Sequence, residues 1–237
     1  TRMLEKHASR IMVGFEECRI HYKHPERIVV TGTPVRGDFF DMSHDEAKAS
    51  LGIPAEQPLV VSFWGSLGAS TMNRQMLDFF EKERSDGYPF RHIHAAGDRS
   101  WTWMQPELEQ RGLTEDPHLD VRPYIHNMAV VMRAADLVVS RAGASTLSEL
   151  AALGVPAVLV PSPNVTNDHQ TKNARALEEA GAAVLLPEKD ASAQALFQVC
   201  GGILHDPARQ AEMAGNMAAL GVPDAAERIL DTVRALL

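Results

Sequence analysis

Cysteine is scarce in this sequence: Cys18 and Cys200 are the two it holds among 237 residues. No CxxC spacing joins them, so they suggest neither a disulfide framework nor a zinc site. Both read as small buried hydrophobes of a reducing compartment. A surplus of positive charge is missing as well. Lys and Arg number 23 against 31 Asp and Glu, for a formal net charge of -8 and a pI near 5.7. Nucleic-acid phosphates are met by clustered Lys and Arg. The balance therefore excludes nucleic acid as the main partner, while leaving room for a local basic patch at a diphosphate or a membrane surface. Long apolar runs are absent too: Ala151–Val160 is interrupted by Gly154 and Pro156, far short of the ~20 residues a membrane-spanning helix needs. Nor does the start read as a signal peptide, since Thr1-Arg2-Met3-Leu4-Glu5-Lys6 leads into a polar amphipathic stretch. The expectation is a soluble protein, cytosolic or at most peripheral to a membrane. The chain opens at Thr1 without Met, straight into a helical pattern, and we expect a piece of a longer protein rather than a processed start.

Hydrophobic residues make up 45% and charged residues 23%, an ordinary globular composition with length for one good-sized core or one domain plus a remnant of another. From residue 58 onward, short apolar runs alternate with amphipathic stretches. The runs Leu59–Phe63, His92–Ala95, Leu119–Val121, Leu137–Ser140, Ala157–Val160 and Ala183–Leu186 predict strands. Helices are predicted over 71–83, 104–111, 127–134, 145–153, 170–180 and 192–204, the fifth from the spacing of Ala174, Leu177 and Ala180. Runs apolar throughout, such as Ala157-Val158-Leu159-Val160, suit strands buried on both faces of a parallel sheet. The fold class expected is α/β, a Rossmann-like doubly wound parallel sheet.

Residues 1–35 differ: a short helix and strands around Ile11–Phe15 and Arg27–Thr31 lead into Gly32-Thr33-Pro34-Val35-Arg36, a boundary signal. We read 1–35 as the tail of a preceding domain plus a hinge, and 36–222 as the main domain. Ser43-His44-Asp45-Glu46 forms a capping box opening a helix that ends near Gly52, and 223–237 is a final amphipathic helix. There are no internal repeats.

In open α/β sheets ligands bind at the carboxyl ends of strands, in loops that feed helix N-termini. Three loops carry suitable chemistry. In Trp64-Gly65-Ser66-Leu67-Gly68-Ala69, Gly65 and Gly68 let the backbone turn and approach a phosphate while Ser66 offers a hydroxyl; two glycines after a strand are also simply what a turn requires. In Ser140–Glu149, small residues open a helix whose free N–H groups suit a diphosphate, and Glu149 lies one turn in, where a carboxylate can accept from two ribose hydroxyls. On its own, Glu149 complementing the helix dipole is the simpler account. In Pro161–Asn173, the groups of Asp168, His169, Gln170 and Asn173 have the reach for sugar hydroxyls. Asp168 as a plain N-cap, with His169 and Gln170 solvated, is the plain alternative.

Gly32-Thr33-Pro34-Val35-Arg36, Gly65-Ser66-x-Gly68-Ala69, Arg141-Ala142-Gly143-Ala144-Ser145-Thr146-x-Ser148-Glu149 and Asp168-His169-Gln170-x-x-Asn173-Ala174 occur in that order. Together they resemble the MurG family, and Gly221-Val222-Pro223-Asp224-Ala225-Ala226-Glu227-Arg228 is also similar. The likeness runs from about residue 2 to the end. It implies the C-terminal, donor-binding half of a GT-B glycosyltransferase, with most of an N-terminal acceptor domain missing. The activity implied is inverting transfer of N-acetylglucosamine from UDP-N-acetylglucosamine to a lipid-linked muramyl-pentapeptide in peptidoglycan synthesis, peripheral to the cytoplasmic side of the cell membrane. It implies roles residue by residue. Glu149 holds the ribose. Ser66 and the amides near Ala144, Ser145 and Thr146 hold the diphosphate, with Gly65 and Gly68 in the turn and Arg36 near that charge. Ile125 presents its backbone to uracil, and His169, Gln170 and Asn173 meet the sugar. No cofactor is implied. No metal is expected, because no Asp-x-Asp pair stands at a strand end, and the catalytic base is expected in the missing domain. Helix 223–237 is expected to pack back towards that domain, leaving its apolar face and that of 1–35 partly exposed here. Trp64 stands where many members carry glycine, and His169 where the family can have Gln.

Competing readings are another GT-B enzyme, such as a diacylglycerol glycosyltransferase or a UDP-N-acetylglucosamine epimerase, and a non-catalytic UDP-sugar-binding module. A nicotinamide dehydrogenase would want G-x-G-x-x-G after its first strand, which Leu59–Ala69 does not supply.

Overall fold

A computed structural model describes residues 2–65 and 68–237; Ser66, Leu67 and Thr1 lie outside the described residues. The chain opens with a 3-10 turn, Arg2–His7, and two three-residue strands, β1 (Ile11–Val13) and β2 (Ile28–Val30). These pair in parallel as a small sheet of their own. The capping box forms as expected: the Ser43 hydroxyl accepts from Glu46 N, and Glu46 Oε2 accepts from Ser43 N at 2.8 Å, opening α1 (His44–Ser50).

The main domain follows as β3 (Leu59–Phe63), α2 (Ser70–Ser85), β4 (Arg91–Ala95), α3 (Asp98–Gln110), β5 (Leu119–Arg122), α4 (Met128–Ala134), β6 (Leu137–Ser140), α5 (Ala144–Leu153), β7 (Ala157–Leu159), α6 (His169–Glu179), β8 (Ala183–Leu185), α7 (Ala193–Leu204), α8 (Pro207–Ala219) and α9 (Ala225–Arg234). Six strands pair in parallel in the order β5-β4-β3-β6-β7-β8. That is the doubly wound order, with its switch point between β3 and β6. Leu59, Val61 and Phe63 face the layer formed by α1, α4, α5 and α6. Val60 faces the opposite layer of α2, α3 and α7. The period-2 alternation of a strand thus feeds two apolar cores, which is why β3 and β6 are buried at every position.

Several elements depart from expectation. Helix α3 starts at Asp98 rather than 104 and carries Pro106 inside it; its apolar stripe is Trp101, Met104 and Leu108, the first of these hidden in sequence among polar residues. Helix α8 was not foreseen. It has an Asp206 N-cap, Pro207 in its first turn, and an Ala-rich body whose hydrophobic contrast rests on Met213 and Met217. Helix α9 is shorter than 223–237, and Leu230 and Val233 on it are exposed. Cys200 is buried as expected, whereas Cys18 is only half-buried. Among the described residues no helix is long and apolar enough to cross a membrane.

One buried ion pair ties α1 to the amino-terminal edge of the sheet. Lys48, 1% exposed, donates to Asp136 Oδ2 at 2.8 Å and to the carbonyls of Ala55 and Gln57 at 3.0 and 2.9 Å. Burial opposes ionisation of Asp136, but hydrogen bonds from His44, Lys48 and the Leu59 amide override it and hold the carboxyl below its usual range. Lys48→Met should therefore cost about 3–5 kcal/mol in urea unfolding, because it strands a buried carboxylate. The double variant Lys48→Met/Asp136→Asn should recover much of that. Two single losses that simply add would show the pair to be uncoupled.

Candidate functional site

The carboxyl ends of β3 and β6 open onto a cavity of ≈ 170 Å³. Gly65 follows β3, Gly97 follows β4, Tyr124 and Ile125 follow β5, and Thr146 and Glu149 come from the first turns of α5; all line it. Of the residues singled out from sequence, Gly65, Ile125, Thr146 and Glu149 are thus brought together. Ile125 is 1% exposed, so it can offer a ligand little but its backbone, whereas Tyr124 beside it is 47% exposed. Burial pushes the Glu149 carboxyl above its usual range, against the pull of Arg36 and with the push of Asp38.

Helix α5 begins at Gly143, which has no side chain to cap it. Its first N–H groups, at the exposed Ala144 and Ser145 and the half-buried Thr146, have no partner within the helix, and Thr146 borders the cavity. Ser66, the hydroxyl expected beside them, lies outside the described residues.

Arg36 does not line this cavity. It lines a neighbouring one with His126, Asn127 and Arg133, lies 5.5 Å over the Phe39 ring and pairs with Asp38 at 3.2 Å. Its exposed guanidinium reaches Glu149 electrostatically. The sugar-side candidates form a third group at the start of α6. His169 Nδ1 lies 2.9 Å from the Thr166 carbonyl, Gln170 Oε1 accepts from Ser162 N at 2.9 Å, and Asn173 Nδ2 donates to the Ala142 carbonyl at 3.1 Å. Gln170 and Asn173 thereby lace the loops after β6 and β7 together. Asp168 is not a plain N-cap: its φ is +50°, following Asn167 at +58°, and its carboxylate accepts from the Thr171 hydroxyl at 2.6 Å. Two successive non-glycine residues in the left-handed region are strained, so the entry to α6 is held in shape by its neighbours.

A residue assigned no role from sequence proves central. Arg141 donates to the carbonyls of Val160 and Pro161 at 3.0 and 3.2 Å, pairs with Glu188 and lies 5.7 Å over the Trp64 ring. It joins the loops after β3, β6 and β7. Trp64, which stands where many members of the family carry glycine, is 4% exposed and belongs to the core, and Gly68 N donates to Gly65 O at 3.0 Å beyond it. The sequence signal available was an Arg beside a strand end with an aromatic at the equivalent place on the neighbouring strand.

Residues 59–229 match the family model for the glycosyltransferase family 28 C-terminal domain. A protein of Acetivibrio thermocellus is 38% identical over 236 residues, all of this chain and 63% of its own length. One of Desulforudis audaxviator is 40% identical over 238 residues, covering 99% of this chain and 63% of its own length. Both are named UDP-N-acetylglucosamine–N-acetylmuramyl-(pentapeptide) pyrophosphoryl-undecaprenol N-acetylglucosamine transferase. The crystal structure of Acinetobacter baumannii MurG superposes with a TM-score of 0.67 at 26% identity, over 96% of this chain and 65% of that one. The UDP-GlcNAc 2-epimerase of Neisseria meningitidis, at 13% identity and TM-score 0.69, shares the fold. The chain spans 63% of the length of the two curated relatives.

Gly68 offers a direct test of the loop geometry. At φ +69° a Cβ there would stand 2.3 Å from the Ala96 carbonyl oxygen, whereas at Gly65, with φ +81°, it would meet open space. Gly65→Ala should cost about 1–2 kcal/mol, the left-handed term alone. Gly68→Ala should cost more in the same denaturation experiment, since the loop must also move. Equal losses would mean the two loops do not touch.

Proposed function

Because the chain belongs to the family of the glycosyltransferase family 28 C-terminal domain, we propose that it is the donor-binding part of an inverting glycosyltransferase. The reaction proposed moves N-acetylglucosamine from UDP-N-acetylglucosamine to a lipid-linked muramyl-pentapeptide, the step named for its relatives. The observation that carries this reading is that Glu149, Thr146, Ile125 and Gly65 line one cavity at the switch point of the sheet, beside the uncapped N-terminus of α5. In this reading Glu149 accepts from the ribose hydroxyls and the Ile125 backbone meets the uracil edge. The amides of Ala144, Ser145 and Thr146, with Ser66 and the Gly65–Gly68 turn, meet the diphosphate, and Arg36 adds charge from the neighbouring cavity. His169, Gln170 and Asn173 meet the sugar. As the acceptor hydroxyl attacks the anomeric carbon, the bond to UDP breaks and the departing charge grows beside the helix N-terminus, where fixed dipoles stabilise it most. The base that takes the hydroxyl proton is assigned to an acceptor domain preceding residue 36, of which 1–35 is the tail and against which α9 packs. The exposed Leu230 and Val233 and the pairing of β1 and β2 in a sheet separate from the main one favour that arrangement. Work on a lipid-linked acceptor implies a peripheral place on the cytoplasmic side of the membrane and a part in building the cell wall, and through it in cell shape and division.

Calorimetric titration tests the site. UDP and UDP-N-acetylglucosamine should bind, and EDTA should leave the affinity unchanged. Glu149→Ala should weaken UDP by about 1.5–3 kcal/mol, the scale of a hydrogen bond to a charged group, and a deoxyribose analogue by much less. Because the free Glu149 carboxyl titrates above its usual range and only the carboxylate accepts two hydroxyls, affinity should fall as pH drops through that raised value. Equal losses for ribose and deoxyribose ligands would reduce Glu149 to a helix-dipole partner.

Transfer itself is tested with a radiolabelled donor and a short-chain lipid acceptor. In-line attack needs the hydroxyl within ~3–3.5 Å of the anomeric carbon with a base in reach. The chain alone should therefore be inactive, and active when fused to a family N-terminal domain. Comparable turnover by both would place the base within these 237 residues.

A further inference from the structure

Under the face of the sheet covered by α2 runs a row of buried polar side chains that the proposed donor contacts leave unused. Glu83 and Asn73 come from α2, Ser62 from β3, and His92 and His94 from β4; none is more than 1% exposed. Their contacts form an unbroken chain. Glu83 Oε1 lies 2.6 Å from His92 Nδ1, His92 Nε2 lies 2.7 Å from Ser62 Oγ, and Ser62 Oγ lies 2.6 Å from His94 Nδ1. His94 Nε2 lies 3.1 Å from Asn73 Oδ1, and Asn73 Nδ2 donates to the Ala96 carbonyl at 2.6 Å.

The last link sets the direction of all the others. A carbonyl only accepts, so Asn73 turns its NH₂ to Ala96 and its oxygen to His94. His94 then donates from Nε2 and accepts at Nδ1. The Ser62 hydroxyl supplies that hydrogen and accepts in turn from His92 Nε2. A neutral His92 is left with a lone pair at Nδ1, and the group facing it is the Glu83 carboxyl, which donates only when protonated. In the opposite direction, an ionised Glu83 would accept from His92 Nδ1, both rings would exchange tautomers, and the chain would end with the Asn73 oxygen against the Ala96 oxygen at 2.6 Å. Two acceptors facing each other without a hydrogen cannot close the chain.

The surroundings agree with the first direction. Glu83 Oε2 has no hydrogen-bond partner among the described residues, a costly state for a buried carboxylate and a tolerable one for a carboxylic acid. The rings of Phe79 and Phe80 stand edge-on to His92 at 5.4 and 5.1 Å. Besides His92, the ionisable groups that act electrostatically on Glu83 or feel it are Asp116 ahead of β5, Tyr88 after α2, and Cys200 of α7, none of them cationic. Arg84, the next residue on α2, donates instead to the carbonyls of Arg111 and Gly112. Burial, with the charge of Asp116, pushes the Glu83 carboxyl well above its usual range. Burial also lowers His92 to about 3 and, with His92 beside it, lowers His94.

We propose that this one-way chain, headed by a protonated Glu83, is the positioning device of the donor site. It holds the Ala96 carbonyl on which Gly68 packs, and so fixes the loops after β3 and β4 that flank the cavity. The positioning half rests on the donor-site reading; the proton assignment stands apart from it.

Three measurements decide it. First, ring-nitrogen NMR shifts of the unmodified chain at neutral pH should report His92 and His94 both as neutral Nε2–H tautomers. An Nδ1–H tautomer at His94, or an imidazolium at His92, overturns the assignment. Second, Glu83→Gln keeps a donor towards His92 but has no proton to lose. The fold keeps the Glu83 proton above the ordinary value of 4.5 while the unfolded chain releases it, so wild type must lose stability with rising pH relative to Glu83→Gln. The ratio of their unfolding constants should change by up to about tenfold per pH unit until the folded carboxyl titrates. A ratio flat with pH sinks the proposal. Third, Asn73→Asp places a carboxylate against the Ala96 carbonyl and should weaken UDP binding by about tenfold, the scale of one hydrogen bond, and Glu83→Met should weaken it where Glu83→Gln restores it. Unchanged affinity in Asn73→Asp, beside the expected tautomers, removes the positioning role. Failure of the unmodified chain to bind UDP removes the donor-site reading and that role with it, while the nitrogen shifts still judge the proton.

Discussion

Where β3 lies beside β6, the chain reverses the direction in which it lays down strands, and the loops leaving those two strands part to opposite faces. The gap between them is bounded by parallel strands whose carboxyl ends all point the same way. Any segment that fills the gap must therefore be loop or helix N-terminus, and both present backbone N–H groups. The cavity lined by Gly65, Thr146 and Glu149 follows from that pairing before any particular side chain is chosen. What the side chains add is stiffness: Arg141 spans three of the loops, Asn173 and Gln170 a further pair, and Gly68 sits directly on the Ala96 carbonyl.

Burial of charge is managed differently at the two ends of the sheet. At the amino-terminal edge, Asp136 is kept ionised by Lys48, His44 and the Leu59 amide, so the cost of burying both charges is met by close pairing. Under the α2 face no cation among the described residues offsets the burial of Glu83, and the acid is driven towards its neutral form. The same desolvation acts in both places. The presence or absence of a partner decides whether a carboxyl holds or loses its charge.

The sheet was legible because its evidence is redundant. Leu59–Phe63 and Leu137–Ser140 are apolar at nearly every position, a pattern that only two-faced burial explains. Glu149 was singled out because a strand-loop-helix grammar puts it one turn into a helix at a carboxyl end, and Ile125 only through the family resemblance; both line the cavity. Arg141 was not singled out, since its value lies in carbonyls contributed by residues far along the chain, Val160 and Pro161. The buried row was hidden for a similar reason. Ser62, His92 and His94 each interrupt an apolar strand in a way that sequence alone cannot tell from an exposed edge. Helix α3 was begun too late because Asp98, Arg99 and Ser100 mask the first turn of its apolar stripe, and α8 escaped because alanine gives little periodic contrast.

On the proposed reading, a chain of net charge -8 holds a diphosphate, and it must then separate its own negative charge from the ligand's. Surface carboxylates are screened by water and salt within about 10 Å; buried ones are not. Two acids bear on the loops that would carry the ligand, one through the buried hydrogen-bond chain and one at the cavity wall, and they are treated in opposite ways. Glu83, at the far end of the hydrogen-bond chain from those loops, can serve them only as a neutral donor, because an ionised carboxylate there would reverse the chain. Glu149, at the cavity wall, must stay ionisable to accept hydroxyls, and it is half-buried with Arg36 within electrostatic reach. Oriented amides at the start of α5 then supply the positive potential without adding a buried cation, which would need a counter-charge of its own. In the proposed donor site an acidic composition and an anion ligand are compatible, because the attraction would come from backbone dipoles rather than from net charge.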